Sequence, residues 1–131
     1  MKRGLLKYFV LTNNPMVREK VAPGKKVVFE RGDMRHLFEE AQGYVARGHR
    51  LLTHPLSGSV KPGETPYKSM LMAADAAPGV DANSCRLLAN ALDACGKFAD
   101  KTHLYNEKTL HDLQIVDYSL LEGAIASAET C

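Results

Sequence analysis

Tyr8-Phe9-Val10-Leu11-Thr12 is a continuous apolar run of aromatic and β-branched residues, closed at once by Asn13-Asn14-Pro15. It is too short for a buried helix and has no polar alternation. It therefore predicts a strand covered on both faces, as in a parallel sheet. That requirement constrains the rest of the chain, which must supply helices for two faces. Pro15 suits the first turn of a short helix over about 15–20, with Asn14 as its cap.

The segments that follow alternate in the same way. Lys26-Val27-Val28-Phe29-Glu30 reads as a second strand. Asp33 then caps a helix in which Met34, Leu37, Phe38, Ala41, Tyr44 and Val45 form one stripe at a period of 3.6. Gly48 is its expected stop. Arg50 to His54 reads as a third strand and Tyr67 to Ala74 as a fourth. Asp81 or Asn83 opens a helix whose apolar face is predicted as Cys85, Leu88, Leu92, Cys95 and Phe98. Beyond Asn106 the pattern is helical, with Leu110, Leu113, Val116, Leu120, Leu121 and Ala124 on one face. Ile115 to Tyr118 could instead add a last strand. The order predicts one α/β domain over 1–131: a three-layer, largely parallel four-stranded sheet, five-stranded if the last segment joins it, with helices on both faces.

The totals exclude several classes. A chain of 131 residues with 45% hydrophobic and 24% charged residues can bury an adequate core. Seventeen basic against 15 acidic residues, mixed in sign along the chain, argue against nucleic-acid binding. Cys85, Cys95 and Cys131 fit neither a zinc motif nor a disulfide framework, which suits a reducing cytoplasm. No metal site and no cofactor is expected: the histidines lack ligand spacing, with His36, His103 and His111 read as ordinary surface or half-buried residues. No run approaches the roughly 18 apolar residues of a membrane span, and the opening Met1-Lys2-Arg3-Gly4 leads to no signal peptide.

Between Thr53 and Lys68 lies a loop with almost nothing apolar to bury, stiffened by Pro55, Pro62 and Pro66. Prolines lower the entropy of the unfolded chain, so such a loop is pre-organised for binding. In a parallel sheet, ligands sit outside the carboxyl ends of the strands. Three polar clusters fall there: Thr12-Asn13-Asn14, Glu30-Arg31-Gly32-Asp33, and the loop opening at Thr53-His54. Asn13 and Asn14 can donate and accept, although turning the chain and capping a helix would explain Asn14 equally well. His54 suits an acid/base or donor role, or it locks its own loop. Ser57-Gly58-Ser59 resembles a turn whose N–H groups cradle an anion, but it is neither a Walker loop nor a nucleophile elbow. Lys61 and Lys68 could neutralise an anion, and Thr65 adds a hydroxyl. Asp117 and Tyr118 could reach the same edge, with a cap or surface charge the favoured reading of Asp117.

Thr12-Asn13-Asn14-Pro15 and the block from Gly48 to Ser69, GHRLLTHPLSGSVKPGETPYKS, resemble the GrdX family, over about residues 8–121. The family is associated with the glycine/sarcosine/betaine reductase system of anaerobic bacteria. The resemblance implies a cytosolic accessory protein with reductase components as partners, and carries over no catalytic residue. Three readings follow. One is a binder of a small anionic molecule, as a monomer or homodimer, through Asn13, Asn14, His54, Ser57, Gly58, Ser59, Lys61, Thr65 and Lys68. Another is a small enzyme using His54 as acid/base or Ser57 as nucleophile. The third is an assembly factor docking on reductase subunits.

Overall fold

The computed structural model describes residues 7–21, 24–57, 61–98 and 100–130. The first apolar run forms strand β1 (Tyr8–Thr12) and leads into helix α1 (Pro15–Lys20). Strand β2 (Val27–Phe29), helix α2 (Met34–Ala46), strand β3 (Ser69–Ala73), helix α3 (Ala82–Lys97) and helix α4 (Glu107–Thr130) follow. Among the described residues the sheet has three strands in the order β2-β1-β3. β1 runs parallel to β2, pairing Val10 with Val27, and antiparallel to β3, pairing Val10 with Leu71.

This overturns the expected four- or five-stranded, largely parallel sheet. The run read as the fourth strand is β3, and it runs the other way. Arg50–His54, expected as a third strand, contributes one isolated bridge, between Leu51 and Met72. Leu52 N–H donates to the Leu71 carbonyl at 2.8 Å, and Ala73 N–H to the Arg50 carbonyl at 2.8 Å. The physical reason lies in the connection. A parallel return needs a crossover that covers a sheet face, usually a helix. Among the described residues no helix stands between Leu51 and Ser69, so the chain folds back beside itself. The alternative strand at Ile115–Tyr118 is also absent, since those residues lie inside α4.

Period-2 alternation divides the strands between two cores. Phe9, Leu11, Met70 and Met72 pack with Leu37, Phe38, Ala41 and Val45 of α2 and with Leu88 and Ala91 of α3. Val10 and Leu71 face the other way, toward Val17 of α1 and Leu121 and Ala128 of α4. In α3 the inward face is Ser84, Leu88 and Ala91, with Leu92 and Cys95 half-buried. Cys85, expected on that face, is exposed. In α4 the inward residues are Asp117, Leu121 and Ala128, which turns Val116 and Leu120 outward from the face expected for them.

Beyond the end of α2 the chain turns at Gly48, where φ is +102°, a conformation that side chains disfavour. A Cβ there would lie 2.2 Å from the Ala77 carbonyl oxygen. Glycine is thus required twice, by backbone angle and by space.

Candidate functional site

Strand directions decide which loops meet. β1 and β2 are parallel, so Asn13 and Gly32 leave the sheet at one edge. β3 is antiparallel to β1, so it begins, at Ser69, on that edge. The bridged segment at Leu51 is antiparallel to β3 and delivers Thr53 and His54 there too.

Asn13 clamps this edge. Its amide donates to the Gly32 carbonyl at 3.1 Å and the Pro66 carbonyl at 2.8 Å, and its Oδ1 accepts from Lys68 N–H at 2.9 Å. The side chain is buried and bonded on both its ends. Asn14 performs two tasks. Its Oδ1 caps α1 by accepting from Met16 N–H at 3.0 Å. Its Nδ2 donates to the Gln114 carbonyl and to Asp117 Oδ2, each at 3.0 Å.

Asp117 is buried, not a cap or surface charge as favoured from the sequence. Besides Asn14, it accepts from Ser69 Oγ at 2.6 Å. The Thr12 hydroxyl lies 2.7 Å from Ser69 Oγ and, since the serine proton points at Asp117, is the donor of that pair. Burial pushes the Asp117 carboxyl up from the usual carboxylate range, opposed by the Ser69 and Asn14 bonds and by Lys68.

Lys68 stands beside this carboxylate with 9% of its surface exposed. Its Nζ donates to the Ser57 carbonyl at 2.8 Å and lies 3.4 Å from Ser57 Oγ. The ion pairs among the described residues, with N···O up to 4.0 Å, do not include it. Burial holds its amine below the usual lysine range, with the charge of Asp117 acting in the opposite direction.

Both groups line a narrow, solvent-open cleft. One wall is Pro55, Leu56, Ser57, Pro62, Thr65 and Tyr67 from the loop. The other is Leu113, Val116, Asp117 and Leu120 of α4, and Met34 closes the end. Gln114 Nε2 donates to the Tyr67 hydroxyl at 3.0 Å, joining the walls. A second cleft shares Met34, Pro62 and Thr65 and is bounded by Asp33, Arg35, Cys95, Phe98 and Asp100.

Of the residues singled out from the sequence, Ser57, Thr65 and Lys68 line the first cleft. Thr65 is buried, its hydroxyl accepting from Tyr67 N–H at 3.2 Å. Asn13 and Asn14 lie behind the cleft and hold it together. His54 is exposed, and its Nδ1 accepts from Leu56 N–H at 3.1 Å, which locks its own turn. Lys61 is exposed, its Nζ 5.7 Å from the Phe98 ring centre. Gly58 and Ser59 lie outside the described residues. Sequence reasoning passed over Ser69, Gln114 and, Asp117 apart, the α4 wall. The signal for Asp117 was present: it falls four residues after Leu113 and four before Leu121, in step with the inward face.

Elsewhere, ligand atoms of Glu30, His36 and Glu40 lie within 4.8 Å of one another, with His36 Nε2 3.4 Å from Glu30 Oε1. All three are half-exposed. The pair is a surface contact of the kind that contributes little to stability. No helix among the described residues is long and apolar enough to cross a membrane.

Comparison with curated proteins and with solved structures gave no match. The model of the GrdX-like protein family matches residues 9–126, nearly the whole chain, and the protein belongs to that family.

Proposed function

We propose that the protein binds a small anionic molecule, with a carboxylate or phosphate group, in the cleft between the loop and α4. Membership in the GrdX-like family suggests association with glycine reductase systems, and the binding role is read within that setting. The observation that carries this reading is Lys68. A buried ammonium costs several kcal/mol of lost hydration unless an opposite charge or full hydrogen bonding offsets it. Lys68 has two contacts, both to Ser57, for three N–H donors. Asp117 acts on it through charge but forms no ion pair with it. A ligand anion would supply what is missing.

The enzyme reading through His54 has less support, because that ring is engaged by Leu56 and does not line the cleft. Docking on reductase subunits remains a second reading. Ile115, Val116 and Leu120 are 46%, 40% and 48% exposed on α4, an apolar group beside the cleft mouth.

Thermal unfolding with acetate, lactate, glycine or phosphate tests the first reading. At least one anion should raise the midpoint of the wild-type protein and leave Lys68→Met unmoved. Equal shifts in both proteins would refute it. Retention of reductase subunits by wild type, lost in Val116→Asp with Leu120→Asp, is expected on the second.

A further inference from the structure

We infer that Lys68 is a nucleophilic amine that forms an imine with a 2-oxo acid bound in the cleft, with Asp117 as the proton donor. The inference rests on the binding reading above and names its ligand class.

The arrangement has three parts that imine chemistry needs. The first is an amine taken out of water. Lys68 sits in the wall of a cleft between Leu56, Pro62, Leu113 and Val116, and has no ion pair among the described residues. Desolvation favours the neutral amine, the reactive form. Burial lowers the proton affinity of Lys68 in agreement with this placement. The second is an acid in the same cleft. Asp117 lines it, is buried, and holds its proton more tightly than an ordinary carboxyl. Asn14 and Ser69 both donate to its Oδ2 and so fix the group in place. The third is a rigid mount. Lys68 is held by its own N–H on Asn13, and begins a strand at Ser69.

The step balances. The Nζ lone pair attacks the ketone carbon and forms the C–N bond. The carbonyl π pair moves to oxygen, and a proton passes from nitrogen to that oxygen, giving a carbinolamine. The nitrogen lone pair then expels the hydroxyl, which takes the proton of Asp117 and leaves as water. The products are an iminium cation and the Asp117 carboxylate. No oxidant or reductant takes part. The iminium stays positive beside the ligand's own carboxylate, so the charge pairing of the binding reading survives the covalent step.

The full chain is incubated with pyruvate at neutral pH, with and without cyanoborohydride, and examined by intact mass and peptide mapping. The expected result is one reduced pyruvyl adduct, on Lys68, absent from Lys68→Arg. Asp117→Asn should slow its formation by about 100-fold, the scale of a lost general acid. Lactate, which has the carboxylate but no ketone, serves as the binding control in thermal unfolding. Stabilisation by both lactate and pyruvate without an adduct on Lys68 overturns the imine and leaves anion binding standing. Adducts spread over the surface lysines also overturn it. The absence of both stabilisation and adduct overturns the imine, and the binding reading falls with it only if acetate and phosphate also fail to stabilise.

Discussion

Asn14 and Asp117, 103 residues apart in the chain, share a hydrogen bond of 3.0 Å inside the protein. Asp117 also accepts a hydrogen bond from the Ser69 hydroxyl, 48 residues away. Three elements, the end of β1, the start of β3 and the middle of α4, thus meet on one carboxylate.

Asp117→Ala should destabilise by about 2–4 kcal/mol, since Asn14 and Ser69 would be left buried with donors unused. Asp117→Asn keeps an acceptor and should cost less. Urea unfolding of the two variants checks the order. Equal losses would show that the shape of the side chain matters and the bonds do not.

Lys68→Met should raise stability at neutral pH by about 1 kcal/mol, because it removes an unpaired buried charge. The pH dependence has a definite sign. Burial lowers the folded-state affinity of Lys68 for its proton below the ordinary value of 10.5. The unfolded chain therefore binds more protons in the window just below 10.5. The stability linked to Lys68 is full above that value and is lost as pH falls through the folded pKa. Asp117 is raised above 3.8, so its contribution is full below that value and is lost as pH rises through its folded pKa. Urea midpoints of wild type should climb toward those of Lys68→Met between pH 7 and 10. A constant gap between the two proteins would contradict the burial of Lys68.

Asn13→Ala should cost about 2–3 kcal/mol and loosen the cleft, because one side chain ties Gly32, Pro66 and Lys68 together. Amide exchange at Lys68 gives a local readout, since that N–H bonds to the Asn13 side chain. Exchange there should quicken by more than in the core of α2.

Gly48→Ala should lower stability by about 2 kcal/mol or more, through a positive φ and a contact of 2.2 Å with backbone. Gly79, with nothing within 4 Å of an added Cβ, is the control and should tolerate alanine. A scan of thermal midpoints separates the two.

Local signals in the sequence carried local structure. The run Tyr8–Thr12, the stripe from Met34 to Val45 and the caps Asn14 and Asp33 all appear as read from the sequence, and of the two caps offered for α3, Asp81 or Asn83, it is Asp81 that serves. The direction of β3 was not legible, because no residue within a strand encodes which way it runs. It depends on the connection, and the described residues of the loop before Ser69 hold no helix to carry a crossover. The buried carboxylate was legible only in part. Asp117 falls in step with Leu113 and Leu121, but an aspartate in a helix reads as a cap or surface charge until its partners are known, and Asn14 and Ser69 are distant in the chain. Lys68 and Thr65 were among the residues expected at the rim and line the cleft, while His54 turned to its own backbone.

α4 has 24 residues and so is a rod of about 36 Å. Its first half walls the cleft, and near its far end Glu129 binds both Lys25 and Tyr8, each at 2.6 Å. The rod is therefore fastened at both ends of its length, by Glu129 at one and by Gln114 and Asp117 at the other, so the cleft wall cannot swing away without breaking the bonds to Tyr67, Asn14 and Ser69.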